Sequence, residues 1–125
     1  MNITHLVLWS QDNKLSEKFY KKLGFTIEQS DDDHTLVALP GFKLDFISMR
    51  DEDAFAKDSM AAEKGLGLYI YIRVDDVDAK HTELESQGFT GATKPKDWPW
   101  GNREFILHDP DGYKLCFWQP NQGTK

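Results

Sequence analysis

Apolar residues recur along this 125-residue chain at two different periods, and the switches between them divide it into short elements. Ile3–Trp9 is apolar and rich in β-branched residues, which predicts a strand. Ser10–Asp12 or Asn13 then supplies helix-starting chemistry. Leu15, Phe19, Tyr20 and Leu23 fall on one face of a helix. Gly24 stops that helix after a last turn holding Lys21 and Lys22. Strands are predicted at Phe25–Gln29, Thr35–Leu39 and Phe42–Met49, with Asp31–Asp33 and Pro40-Gly41 marking the turns. Arg50–Gly67 is polar, Ala-rich and Gly-terminated, and reads as a short helix or loop that links two halves.

After Gly67 the pattern restarts. Leu68–Val74 is a strand, Asp75 and Asp76 open a helix with Val77, His81 and Leu84 on one face, and Gly88-Phe89 repeats Gly24-Phe25. A weak strand near Gly91–Lys94 follows. Arg103–His108 and Tyr113–Trp118 form a β-hairpin joined by Asp109-Pro110-Asp111-Gly112, where proline presets φ and Gly112 tolerates a positive one. Each half is thus βαβββ, an antiparallel sheet with a helix on one face. The other faces need cover, and two such sheets can turn toward each other around a cleft. The expected fold is α+β: a single domain over residues 1–125, with module one at 1–50, a linker at 51–67 and module two at 68–120.

Period-2 alternation proposes what lines the cleft. His5, Val7 and Trp9 share one face of the first strand, and Asp45, Ile47 and Met49 share one face of the fourth. Tyr69, Tyr71 and Arg73 oppose Leu68, Ile70 and Ile72. Cys116 and Trp118 oppose Leu115 and Phe117. The purely apolar sets are best placed against the helices, which leaves the mixed sets for a flat, partly polar organic ligand. Trp98 and Trp100 flank Pro99 in a predicted loop, as a pocket lid or at a dimer interface. Simpler readings exist for several of these. Asp45 can pair with Arg73, Arg103 or a lysine, and Cys116 can be a small buried hydrophobe. His34, His81 and His108 look like turn, helix and strand-end residues.

Composition narrows the partners. The net charge is −6 with no basic block, which argues against nucleic acid and anionic membranes and favours a cationic or neutral ligand. Aromatic residues make up 13%, more than a small core needs, so some are free to line a pocket. One cysteine excludes an intrachain disulfide. With no secretory signal or membrane-spanning run apparent, a cytoplasmic location is expected.

Three segments in this order, Phe19–Phe25, Val74–Asp78 and Asp109–Tyr113, resemble the vicinal-oxygen-chelate superfamily. That family includes glyoxalase I, extradiol dioxygenases, fosfomycin resistance enzymes and bleomycin resistance proteins. Pro99–Phe105 is most similar to the bleomycin-resistance branch. The resemblance implies the paired βαβββ fold, a homodimer, and either a divalent metal ion or a metal-free ligand site. Metal ligands of the glyoxalase pattern fall on His5, Asp45, Tyr69 and Cys116. A catalytic divalent metal wants three or more His, carboxylate or thiolate ligands, and tyrosine is an uncommon one. The expected function is therefore metal-free binding of an aromatic or cationic small molecule, with no cofactor. The alternative is a metal-dependent lyase, isomerase or transferase using His5 and Asp45, with Cys116 or Glu104. Glu104 would reach the cleft through a one-residue register shift. A regulatory module without chemistry is the third reading.

Overall fold

In a computed structural model, which describes residues 1–48 and 55–121, the chain divides into two units at Lys64 and Gly65. In the first, Asp12 caps helix α1 (Asn13–Leu23) by accepting from the Lys14 backbone N–H at 2.9 Å. Gly24 ends it at φ 115°, where a side chain would be strained. Around α1 come β1 (Leu6–Ser10), β2 (Thr26–Ser30), β3 (His34–Leu39) and β4 (Phe42–Ser48), in the sheet order β1-β4-β3-β2. A one-turn helix α2 (Ala56–Ser59) follows.

α1 packs Tyr20 and Leu23 onto the sheet. Tyr20 is fully buried, stacked on Phe46 at 4.6 Å and edge-on to Phe25 at 5.1 Å. Each such ring contributes about 1.5–3 kcal/mol by burial. The buried face differs from the apolar one expected. Leu15 is exposed, and the N-terminal half of the face is Asn13 and Ser16, both buried. These polar residues are tolerated because they bond inward: Ser16 Oγ meets Ser10 Oγ at 2.8 Å, and Asn13 reaches Asp31 and Thr35.

The second unit repeats the order: β5 (Tyr69–Arg73), α3 (Val77–Ser86), β6 (Lys96–Asp97), β7 (Asn102–His108) and β8 (Lys114–Pro120). Its sheet runs β5-β8-β7-β6. Asp76 caps α3, and Val77 and Leu84 are buried beneath it. Phe105 and Phe117 stack at 4.9 Å on the same side, with His81 edge-on to Phe105. The β7–β8 turn forms as its chemistry dictates. Asp109 Oδ1 accepts from the N–H groups of Asp111 and Tyr113, and Gly112 sits at φ 93°.

Two expectations are corrected. The sheets are mixed, not antiparallel: β1 pairs parallel with β4 and β5 with β8, while the remaining pairings are antiparallel. A helix lies between the first strand and the rest of each unit, so the chain re-enters the sheet in the direction that a crossover allows. The weak strand falls at Lys96–Asp97 rather than Gly91–Lys94. Pro95 has no N–H to give a ladder, and Thr93 instead holds β7 by one backbone and one side-chain bond to Ile106. Met49 and linker residues 51–54 lie outside the described residues.

Candidate functional site

In the second unit, strand register gathers one face of the sheet. Tyr71 lies opposite Cys116, which lies opposite Ile106; Arg73, Trp118 and Glu104 align in the same way. The β6–β7 loop adds two indoles. Pro99 presets φ in a tight turn closed by the Gly101 N–H to the Trp98 carbonyl at 3.1 Å, and Gly101 takes φ 94°. The turn stacks Trp98 on Trp100, with centroids 4.8 Å apart and planes 9° from parallel. Lys96 sets its ammonium over Trp98, 4.0 Å from the centroid.

These groups enclose a hollow of about 310 Å³ lined by Tyr69, Tyr71, Trp98, Trp100, Glu104 and Ile106. Glu104 is 4% exposed. Its Oε2 accepts from Trp100 Nε1 at 3.1 Å and Asn102 Nδ2 at 3.0 Å, and its Oε1 from the Tyr71 hydroxyl at 3.3 Å. All three donors are neutral. No register shift is needed to bring Glu104 to this face, contrary to expectation; its alternation with Asn102 and Ile106 was the available signal. A broader hollow of about 410 Å³ runs along Arg73–Asp76 and the start of α3, but its lining is charged surface without convergent groups.

Four expected site residues, Tyr69, Tyr71, Trp98 and Trp100, thus line one hollow. Three others on this unit do not. Cys116 lies on this face but is fully buried, and burial, then the neighbouring Glu104, pushes its thiol up to about 12. Arg73 and Trp118 are occupied with each other, the guanidinium lying 5.1 Å from the indole centroid. Tyr71 is half exposed as a residue, yet its hydroxyl reaches the buried Glu104. Desolvation first, then Cys116 and Glu104, hold its ionisation well above the ordinary phenol range. Arg103 bridges Asp78 at 2.9 and 3.0 Å and Asp97 at 3.0 Å, tying α3 to β6.

In the first unit, Val7 aligns with Asp45 and Trp9 with Ile47, so these four share a face. Trp9 packs on Phe55 at 5.6 Å. Asp45 pairs with a histidine of its own unit. His34 Nδ1 lies 2.8 Å from its Oδ1, and His34 Nε2 lies 3.2 Å from Asp31 Oδ2. The β3–β4 hairpin register puts His34 and Asp45 diagonally on one face. The hydrogen bond that His34 donates to Asp45 raises the His34 pKa above its ordinary value, against partial burial. The contribution of this pair to stability is complete below the unfolded value of about 6.5 and is lost as pH rises through the raised folded value. Urea midpoints are expected to fall between about pH 6 and about pH 9 by more in the wild type than in His34→Gln. Equal falls would remove the pair from the account.

The metal-ligand positions of the resembling enzymes do not fit a metal ion here. His5 is exposed, precedes β1 and bonds Thr4 Oγ1 at 2.9 Å. Asp45 is engaged by His34. The Tyr69 ring carries the Lys114 ammonium 4.8 Å from its centroid, and Cys116 is fully buried. Among the described residues, no group of three His, Cys, Asp or Glu could hold a metal ion. No helix among them is long and apolar enough to cross a membrane.

A comparison with curated proteins gives no match. Among solved structures, a glyoxalase/bleomycin resistance protein/dioxygenase from Nocardioides superposes with a TM-score of 0.83 at 23% identity, covering 100% of this chain and 87% of that one. TnmS3, an antibiotic binding protein from Streptomyces sp. CB03234, is 27% identical with a TM-score of 0.69, covering 96% and 98%. A bleomycin-binding protein complexed with bleomycin is 23% identical with a TM-score of 0.67, covering 95% and 98%. The family model described as Glyoxalase/Bleomycin resistance protein/Dioxygenase superfamily matches residues 2–117. With that span and the βαβββ order in both units, the chain belongs to the glyoxalase/bleomycin resistance protein/dioxygenase superfamily.

Proposed function

We propose that this chain is a metal-free small-molecule-binding protein of the bleomycin-resistance type, which holds an aromatic or cationic ligand in the hollow of its second unit. The observation that carries this reading is the lining: two tyrosines and two stacked tryptophans around a buried carboxylate, with aromatic walls for affinity and few polar groups for orientation. The solved relatives named for binding bleomycin and an antibiotic support a small-molecule ligand. The poor fit of His5, Asp45, Tyr69 and Cys116 to a metal ion supports the metal-free form. The natural state we propose is a cytoplasmic homodimer, supported by the exposed apolar side chains of Val7 and Phe42 and by the single buried thiol. Sedimentation at twice the chain mass checks the dimer.

Trp98 and Trp100 make binding observable as tryptophan quenching. Saturable quenching is expected from bleomycin or from members of a panel of flat aromatic and cationic compounds. Trp100→Ala is expected to weaken binding about tenfold or more, since it removes a stacking wall and the indole N–H on Glu104. A silent titration across the whole panel would sink the binding reading. Near-stoichiometric metal in protein purified without chelators, lost in His5→Ala, would sink its metal-free part.

A further inference from the structure

Resting on that binding reading, we infer that Glu104 Oε1 is the ligand-recognising atom, and that it selects flat aromatic cations offering a single N–H donor. The two oxygens of this carboxylate are unequally engaged. Oε2 holds two donors at 3.1 and 3.0 Å, both from the β6–β7 loop and the start of β7. Oε1 holds one, the Tyr71 hydroxyl, at the long distance of 3.3 Å. A carboxylate oxygen can accept about two bonds, and the Cys116 thiol, a weak donor, is the other neighbour bonded to this carboxylate. Oε1 is thus the oxygen held loosely, by a long bond, and a stronger donor can replace its partners.

Four consequences follow for the ligand. Among the described residues the Glu104 carboxylate is bonded by neutral donors, so a cation in the hollow gains an attraction that a neutral ring does not. That attraction is strengthened because the group is removed from water. Charge alone does not use the loosely held acceptor Oε1, so an N–H cation is preferred over a quaternary one. A guanidinium fork needs both oxygens, and Oε2 is already filled, so a single donor is preferred over a bidentate one. The flat shape follows from the two tyrosines and the stacked indoles that form the walls. Tyr71 is then a competitor for Oε1, which the ligand donor displaces or joins.

Three acridines of similar shape separate these terms at neutral pH: 9-aminoacridine, a cation with N–H donors; acridine, neutral; and 10-methylacridinium, a cation without a donor. Dissociation constants are measured by calorimetry on the whole protein. 9-Aminoacridine is expected to bind at least about tenfold tighter than acridine, with 10-methylacridinium between them. Glu104→Gln is expected to abolish that spread while leaving acridine bound. Tyr71→Phe frees Oε1 without removing the ring, and is expected to hold 9-aminoacridine more tightly than wild type does. It also keeps the test available if Glu104→Gln fails to fold. Equal affinity for all three compounds, or 9-aminoacridine weakened in Tyr71→Phe, would overturn the role of Oε1 and leave the aromatic hollow standing. Absence of binding by all three to wild type overturns this inference. Whether the hollow binds anything is then decided by the wider quenching panel, so the two failures are distinct.

Discussion

Gly65→Ala is expected to lower the stability of the second unit by about 3 kcal/mol, from two costs that can be measured apart. Gly65 sits at φ +76°, and an added Cβ would stand 2.7 Å from Tyr113 Cδ1 and 3.3 Å from Tyr113 Cα. Tyr113 is buried and follows directly on the Asp109–Gly112 turn, so its ring has little room to swing and its backbone none. Gly67 has the same φ of +76° but nothing within 4 Å of an added Cβ. Gly67→Ala therefore reports the backbone strain alone, about 1–2 kcal/mol. The difference between the variants is the contact with Tyr113. Urea unfolding with unchanged m-values is the measurement, and equal losses in the two variants would show that Tyr113 gives way freely. The same contact bears on the hollow. Lys114 Nζ donates to the Gly65 carbonyl at 2.9 Å while lying over the Tyr69 ring. Gly65→Ala is thus expected to weaken aromatic ligands by shifting a wall, and Gly67→Ala to leave them unchanged.

The parts of this molecule that could be read in the sequence are those set by local chemistry. The Asp-Pro-Asp-Gly turn needs only its own four residues, and the Asp76 cap and the Gly24 stop need only the next turn of backbone. Strand alternation likewise put Tyr69 and Tyr71 together without knowledge of their neighbours. What was hidden depends on which strand lies beside which. Parallel pairing of β1 with β4 leaves no mark on an alternating apolar pattern, because either direction buries Leu8 and Leu44. His34 looked like a turn residue, and only the β3–β4 register shows that it meets Asp45. Glu104 was misplaced for the same reason: one residue of register decides whether a strand carboxylate faces solvent, helix or hollow. Cys116 shows the limit from the other side. Its sharing a face with Trp118 followed from alternation, but its place opposite Tyr71 and its complete burial come from the strands on either side of β8.

The buried polar end of α1 carries the other large expected effect. Asn13 is 1% exposed, and its side chain is fully committed to three separate elements. Nδ2 donates to the Asp31 carbonyl and to Thr35 Oγ1, both at 3.0 Å, and Oδ1 accepts from Ser48 Oγ. One amide thus joins the helix start, the β2–β3 turn, β3 and the end of β4. Asn13→Leu keeps the branched shape but leaves a carbonyl and two hydroxyls without that partner. Each unsatisfied buried group costs about 1–3 kcal/mol. Thr35 retains Glu17 Oε1 at 3.1 Å, which reduces the sum, so the expected loss is about 3–4 kcal/mol. Ser48→Ala removes one of the three bonds together with its hydroxyl, leaves Asn13 Oδ1 and the Asn13 backbone N–H, which reaches Ser48 Oγ at 3.4 Å, without that partner, and is expected to cost about 1–2 kcal/mol. Combined with Asn13→Leu it should add less than it costs alone, because only the longer bond from the backbone N–H of residue 13 is left to lose; that coupling is what a double-mutant cycle reads. Full additivity would mean that Ser48 stabilises the unit through the backbone bond alone. A nearly stable Asn13→Leu would mean that Leu8, Tyr20 and Phe46 orient α1 by themselves. The polar cluster wins that comparison on geometry: the three apolar residues fill space beneath the helix, while the three amide bonds fix where it begins.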